Sequence, residues 1–211
     1  MKFSVIMPSY LQKYKHSTAN PEEKIVRAID SVLDQEDFEL IVVADGCDRT
    51  VEIVKDRFYN QKEVKLFRVS DDRKFGAKRG AGASGYPRNA GIQQATGEYI
   101  IYLDTDDLYV DGYLRSLKDE MTDDLAWYWF DNLSWNKRTD KFDRYLANID
   151  KQGGCGTSNI CHRREIGAWW TWKSYLHDWM FILTLKAISL DYRKLETSGY
   201  GVCHVPGLLD V

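Results

Sequence analysis

Four short apolar runs, separated by stretches with helical periodicity, fill the first half of this chain. The runs lie at residues 3–7, 39–44, 64–69 and 98–103. Between the first two, Asn20 followed by Pro21 is typical of a helix start, and apolar side chains then recur every three or four residues. Strands that alternate with helices favour a parallel sheet with right-handed crossovers. The sequence therefore predicts an α/β fold with helices on both faces of a mainly parallel central sheet.

The fourth apolar run ends in crowded carboxylates with the spacing Asp-x-Asp-Asp, at Asp104, Asp106 and Asp107. Neighbouring carboxylates repel one another, and oxygen ligands suit a hard divalent cation such as Mg²⁺ or Mn²⁺, which commonly holds a diphosphate. The alternative is a solvated acidic turn. Tyr10 and Asp45 also follow predicted strands. Because ligands bind at the carboxyl ends of parallel strands, these polar residues predict one crevice.

Length and charge exclude several classes of protein. A chain of 211 residues suits a single domain. A formal net charge of -3 argues against a protein that binds nucleic acid by neutralising phosphates. No apolar run has the length of a membrane span, and residues 1–8 are too short for the apolar part of a signal peptide. A cytoplasmic location is therefore predicted.

A structural zinc site is an alternative use of the late cysteines and histidines. The candidate ligands are Cys155, Cys161, His162, Cys203 and His204. No CxxC pair occurs among them, and side chains of adjacent residues in a strand point to opposite faces. The sequence therefore disfavours zinc, and a reducing compartment would leave the cysteines as thiols.

Four motifs, taken together and in order, resemble the family 2 glycosyltransferases. They are VIMPSY at 5–10, VVADGCDRT at 42–50, RNAG at 88–91 and LDTDD at 103–107. Each is weak alone, but their order and spacing are specific, and the resemblance covers roughly residues 3–190. It implies the GT-A fold, with a small antiparallel sheet on the acceptor side. It also implies one domain over residues 1–211, with a nucleotide-binding half at 1–110 and an acceptor-binding half at 111–211.

Two further expectations accompany this resemblance. The chain would be a domain cut from a longer protein, and a small viral member of the family, acting in the host cytoplasm, would be its closer match.

The resemblance assigns the nucleotide to the ends of the first two strands. Pro8, Ser9 and Tyr10 would line the base, and the Tyr10 ring offers a stacking face. Asp45 would accept a hydrogen bond from the uracil ring N–H, which favours UDP over purine nucleotides. The alternative for Asp45 is a turn in which its side chain bonds to its own backbone.

The diphosphate and the sugar would lie at the acidic cluster. The resemblance implies that Arg88 holds a pyrophosphate oxygen or orients Asp104, the alternative being an ordinary surface arginine. Asp104 and Thr105 would face the ribose and the donor sugar. Asp106 would bind Mn²⁺ or Mg²⁺ directly, with Asp107 in a supporting position behind it.

The catalytic base is expected at the start of a late apolar helix. Inverting members of the family carry an acidic pair there, and the matching residues here include His177 and Asp178. Asp178 would deprotonate the acceptor hydroxyl, and His177, where glutamate is common, would tune this base or act as the base itself. The alternative is that Asp178 only caps the helix. His204, in a predicted late strand, would be a further metal ligand or a structural histidine.

One motif points elsewhere. Residues 80–85 match the pattern GxGxxG of dinucleotide-binding folds. That fingerprint must follow a strand directly, whereas a polar stretch precedes these glycines and Pro87 starts the helix after them. A loop that closes over the nucleotide sugar fits better.

The sequence thus predicts a metal-dependent, inverting transferase that moves one hexose per encounter. The donor would be a UDP-sugar such as UDP-glucose or UDP-rhamnose, and the acceptor a hydroxyl of a glycan or glycoprotein. The Gln-x-x-Arg-Trp motif of processive synthases is missing. The alternatives are a sugar nucleotidyltransferase, which should carry a Gly-rich basic segment after the first strand, and a non-catalytic module that binds nucleotide sugars.

Overall fold

Two sheets are present in the computed structural model, which describes residues 1–11, 20–69, 84–136, 138–170 and 176–203. Their strands are β1 (Phe3–Ser9), β2 (Phe38–Asp45), β3 (Val64–Val69), β4 (Tyr99–Tyr102), β5 (Leu108–Tyr109), β6 (Trp127–Phe130), β7 (Asn132–Asn136), β8 (Lys141–Tyr145), β9 (Ile160–Arg163), β10 (Tyr192–Leu195) and β11 (Tyr200–Val202). The larger sheet has seven strands in the order β10-β6-β9-β4-β1-β2-β3. Strand β9 pairs antiparallel with β4 and β6, and the other pairs are parallel.

The smaller sheet has the order β5-β11-β7-β8. Two of its pairs are antiparallel, but β11 pairs parallel with β7, so the sheet is mixed rather than wholly antiparallel. It brings β11, near the end of the chain, beside β5, which follows the acidic cluster. This pairing is what places late residues against residues 104–107.

The helices cover both faces of the larger sheet. They are α1 (Pro21–Leu33), α2 (Asp48–Phe58), α3 (Gly85–Gln94), α4 (Tyr113–Glu120) and α5 (His177–Ile188). Helices α1, α2 and α4 pack in the core that contains Val5, and α3 and α5 pack in the core that contains Ile6. Neighbouring residues of a strand face opposite sides, so β1 is buried along its whole length. The predicted α/β fold is confirmed.

The predicted helix start at Asn20 is also present. The Asn20 side chain accepts a hydrogen bond from the backbone N–H of Glu22 at 3.1 Å, and Pro21 is the first helical residue. Within the described residues, no helix is both long and apolar enough to cross a membrane.

Glu39, at the start of β2, is a buried carboxylate on which stability should depend. It is 1% exposed, and its oxygens accept hydrogen bonds from Ser4 at 2.6 Å, Lys65 at 2.5 Å and Thr96 at 2.6 Å. Burial opposes ionisation, but the hydrogen bonds from Lys65, Ser4 and Thr96 prevail and lower the pKa of Glu39. The carboxylate is therefore ionised in the folded protein.

Replacing Glu39 with Gln should lower the free energy of unfolding by about 2–3 kcal/mol, because the amide would turn a donor toward groups that already donate. The folded-state pKa lies below the value of about 4.3 in an unfolded chain. The contribution of Glu39 is therefore present above that pH and lost as the pH falls further. Urea denaturation at pH 7 and pH 3 measures both effects. Glu52→Gln, on the exposed surface of α2, is the control and should change little; equal losses in the two variants would contradict the assignment.

Candidate active site

Three adjacent strands of the larger sheet end at one edge, and the predicted nucleotide residues lie there. Strand β1 runs between β2 and β4, with Ser9 opposite Ala44 in the parallel register. Ser9 shares a hydrogen bond of 2.7 Å with Thr50, and Asp45 is buried at the end of β2. Tyr10 follows β1 and is 39% exposed. The side chain of Tyr10 is therefore accessible to a ligand at this edge.

Arg88, in the first turns of α3, is buried beneath the acidic cluster. It is 2% exposed, so the alternative of an ordinary surface arginine is wrong. Its guanidinium donates to the carboxylate of Asp104 at 2.7 Å and to the Ser84 hydroxyl at 2.8 Å. Burial disfavours its charge, but the negative charges of Asp104 and Asp178 prevail and raise the pKa of Arg88. Arg88 thus couples Asp104 and Asp178, which lie far apart in sequence, within one electrostatic site.

The three carboxylates of the acidic cluster have different surroundings. Asp107 is buried and accepts hydrogen bonds from the Tyr200 hydroxyl and the Cys203 backbone N–H, both at 2.8 Å. The Tyr200 hydroxyl also accepts a bond of 3.0 Å from the backbone N–H of Asp104. Burial, together with the charges of Asp106 and Asp104, raises the pKa of Asp107 well above its usual range. Asp107 therefore anchors the loop, while Asp104 and Asp106 stay partly exposed.

The position of Asp106 is fixed through its backbone. Its carbonyl oxygen accepts a hydrogen bond of 2.8 Å from Arg27 of α1. Thr105, beside it, is also partly exposed. Among the described residues, no three acidic, cysteine or histidine side chains are gathered closely enough to hold a metal ion by themselves. His204, the second predicted ligand, lies outside the described residues, as do residues 80–83 of the glycine-rich motif.

Asp178 lies in the first turn of α5 and faces a short 3-10 turn at Thr157–Asn159. Its Oδ1 accepts a hydrogen bond of 3.0 Å from the Thr157 hydroxyl, and His177 Nε2 lies 3.2 Å from the same oxygen. Leu176 occupies the cap position of α5, so the alternative that Asp178 caps the helix is wrong. Its side chain is 35% exposed, which leaves it accessible to a second substrate.

Trp170 completes the floor of the site, and its role has no local signal in the sequence. Its ring centroid lies 4.7 Å from the guanidinium carbon of Arg88, and it stacks on Phe181 of α5 with 3.9 Å between ring centroids. Asn89 accepts from its backbone N–H at 2.8 Å and donates to its carbonyl at 2.9 Å. These contacts join α3 to α5 and hold Arg88 and Asp178 on one side of the sheet.

Among the described residues, the cysteines and the histidine of the zinc alternative do not come together as a metal-binding group. Cys161 and His162 are neighbours in β9, and Cys161 is in the core beside α1, whereas His162 shares a hydrogen bond of 2.7 Å with the Tyr102 hydroxyl. Burial lowers the pKa of His162 to about 4, so it is neutral at physiological pH. Cys155, Cys161 and Cys203 are buried free thiols.

Replacing Tyr200 with Phe should loosen the acidic cluster without changing the size of the side chain. Asp107 would lose one of its two described donors, at an expected cost of about 1–3 kcal/mol in unfolding free energy. Thermal denaturation and the donor KM measure the two consequences, and we expect the KM to rise several-fold. Tyr99→Phe is the matched control, because its hydroxyl donates to Leu125 at the opposite end of β4. A donor KM that rises equally in both variants would contradict a specific role for Tyr200.

A mainly parallel sheet, an acidic cluster after β4 and a partly exposed aspartate on α5 together define a glycosyltransferase with the GT-A fold. The chain belongs to glycosyl transferase family 2, because the sequence profile of that family matches residues 4–188. Because the chain belongs to glycosyl transferase family 2, the alternative of a sugar nucleotidyltransferase is wrong.

Two sequence relatives are enzymes of Staphylococcus aureus. The poly(ribitol-phosphate) beta-N-acetylglucosaminyltransferase TarS (strain Mu50 / ATCC 700699) is 32% identical over 112 residues, which are 51% of this chain and 16% of TarS. TarP (strain N315), which is also a poly(ribitol-phosphate) beta-N-acetylglucosaminyltransferase, is 33% identical over 125 residues, which are 56% of this chain and 31% of TarP. The chain thus matches less than a third of the length of either relative. Both are bacterial, and the closer likeness to a viral enzyme stays a prediction.

Solved structures share the fold. The crystal structure of S. aureus TarS matches with a TM-score of 0.72 and 20% identity, over 98% of this chain and 37% of TarS. The crystal structure of TarS 1-349 in complex with UDP-GlcNAc matches with a TM-score of 0.69 and 21% identity, over 96% of this chain and 58% of that chain. At these identities the likeness establishes the fold alone.

Proposed function

We propose that this chain transfers one hexose or N-acetylhexosamine unit, with inversion, from a UDP-sugar to a hydroxyl of a glycan or glycoprotein. The observation that carries the proposal is the ion pair between the buried Arg88 and the partly exposed Asp104, electrostatically coupled to Asp178 on a different helix. If Arg88 had only a structural role, the carboxylates that act on it would not need to be accessible. Asp104 and Asp178 are both partly exposed. TarS and TarP are N-acetylglucosaminyltransferases, and TarS 1-349 has been crystallised in complex with UDP-GlcNAc, which supports a UDP-sugar donor for this chain.

The donor would lie across the ends of β1, β2 and β4. Tyr10 would stack on the uracil ring, next to Pro8 and Ser9 in β1, and Asp45 would accept its ring N–H. Arg88 holds the carboxylate of Asp104 in a fixed orientation, from which Asp104 and the neighbouring Thr105 would receive hydroxyl groups of the ribose and the sugar. The residues of 1–110 would thus bind the donor, and residues of 111–211 would bind the acceptor.

Asp106 is the residue that would hold a divalent cation. Asp106 has a partly exposed carboxylate, a backbone fixed by Arg27 and two further aspartates beside it. This fits Mn²⁺ or Mg²⁺, which need only one or two protein carboxylates when phosphate oxygens complete the shell. When bound, the ion supplies positive charge that offsets the charge developing on the UDP diphosphate. His204 stays a prediction as a further ligand.

Asp178 would carry out the proton transfer. Its free carboxylate oxygen takes the proton of the acceptor hydroxyl while the oxygen of that hydroxyl forms a bond to the anomeric carbon. The bond between the anomeric carbon and the β-phosphate oxygen breaks in the same step, and UDP leaves with the electron pair. A single in-line displacement of this kind inverts the anomeric configuration.

The proposal is tested by UDP release from a panel of UDP-sugars, with Mn²⁺ or with excess EDTA. We expect release from one or two donors, with UDP-GlcNAc and UDP-glucose as the first candidates, and its loss in EDTA. Release that is unaffected by EDTA would contradict the role of the cation. UDP binding without release from any donor, even with glycan mixtures present, would favour the non-catalytic module.

A further inference from the structure

The two carboxylate oxygens of Asp178 lie in different environments. Oδ1 accepts the hydrogen bond from the Thr157 hydroxyl at 3.0 Å and lies 3.2 Å from His177 Nε2. Oδ2 faces Gly156, and a Cβ atom at that glycine would lie 3.7 Å from it. The missing side chain at Gly156 therefore leaves space beside Oδ2. Oδ1 is thus held by the protein, whereas Oδ2 has no hydrogen-bond partner among the described residues.

The turn that carries Thr157 is held firmly. The Asn159 side chain accepts a hydrogen bond of 2.9 Å from the backbone N–H of Gly156 and donates at 2.9 Å to both the Phe130 carbonyl and the Asn132 side chain. Thr157 and Asn159 are buried at 5% and 2% exposure. Because Asn159 fixes the turn to β6 and β7, the Thr157 hydroxyl has a defined position relative to α5.

We propose that Thr157 is a positioning residue, which holds Oδ1 of Asp178 so that Oδ2 receives the acceptor proton beside Gly156. The inference rests on the proposed function, since it specifies how the base of that reaction is oriented. No local sequence motif marks Thr157 for this role, and it lies 21 residues before Asp178. The Thr157 hydroxyl supplies a hydrogen-bond donor to the carboxylate from an element other than α5.

On the described elements packed around Asp178, the titratable groups that act on it are His177 on α5 itself, Arg88 on α3 and the Cys155 thiol just before the 3-10 turn. Burial and the charge of Asp178 raise the pKa of Cys155 to about 12, so the thiol stays neutral at physiological pH. The Thr157 hydroxyl is a neutral donor to the same carboxylate.

Thr157→Val removes the hydroxyl and keeps the shape of the side chain. We expect kcat to fall on the order of tenfold and the donor KM to change less than about twofold. Thr157→Ser should restore the rate. The wild-type enzyme with its identified UDP-sugar donor, Mn²⁺ and the acceptor that gives turnover is the reference.

A structural role would give a different result. Thr157→Val would then lower the melting temperature and the amount of active enzyme, with an unchanged kcat per folded molecule, and this would overturn the inference. If Thr157→Val does not fold, Gly156→Ala provides the second measurement. Its methyl group beside Oδ2 should raise the acceptor KM and leave the donor KM unchanged, and an unchanged acceptor KM would overturn the inference. Absence of turnover in the wild type would instead contradict the proposed function.

Discussion

Asp178→Asn should lower kcat roughly a thousandfold while the enzyme still binds its UDP-sugar. The substitution keeps the size of the side chain and the acceptor for the Thr157 hydroxyl, but an amide cannot take a proton from the acceptor hydroxyl. Asp178 is not among the residues proposed to hold the nucleotide, so the UDP affinity should change less than about twofold. Steady-state UDP release and calorimetric UDP titration separate the two effects.

Asp191→Asn is the control for this variant. Asp191 is an exposed aspartate just beyond the end of α5, and its replacement changes the same charge without touching the site. We expect its kcat to equal that of the wild type. If Asp178→Asn keeps more than about a tenth of the wild-type kcat, the base is a different group, and His177 is then the residue to replace next.

Asp106→Ala should reduce Mn²⁺-dependent turnover on the order of a few hundredfold. Removing this carboxylate takes away the protein ligand that we propose for the cation, while Asp104 keeps its ion pair with Arg88 and Asp107 keeps its bonds to Tyr200. The fold should therefore survive. When UDP release is measured against Mn²⁺ concentration, the concentration that gives half-maximal release should be much higher than for the wild type.

The matched control is Asp111→Ala, which removes an exposed carboxylate a few residues further along the chain. Its Mn²⁺ dependence should be unchanged. Equal Mn²⁺ dependence in Asp106→Ala and the wild type would show that the cation is bound elsewhere. A melting temperature that falls only in Asp106→Ala would instead point to a structural role for this carboxylate.

The fold followed from local patterns, because each strand and helix of the first half carries its own signal. The apolar run of β4 and the Asn20 cap of α1 are contained within a few residues, so the sequence predicts them directly. The resemblance predicted the small second sheet but not its one parallel pair, since β11 has only three residues and its pairing with β7 depends on the whole fold.

The site was predictable only in part, and for a physical reason. Asp104, Asp106 and Asp178 stand next to recognisable strands or helices, whereas Tyr200 meets Asp107 across 93 residues. An arginine near a polar helix start is expected to be exposed, and the burial of Arg88 depends on Asp104 and on the Trp170 ring. The division of the acidic cluster into an inward and two outward carboxylates follows from these long-range contacts. Periodicity and spacing contain no information about them.

We propose that the carboxyl edge of β1, β2 and β4 binds UDP together with a divalent cation. Isothermal titration of UDP into the wild-type protein, with Mn²⁺ and then with EDTA, tests it without any knowledge of the sugar or the acceptor. We predict saturable binding of one UDP per chain with Mn²⁺, at least tenfold weaker in EDTA, and comparably weakened in Asp106→Ala. Failure to bind UDP both with Mn²⁺ and with EDTA would contradict a UDP site at this edge of the sheet.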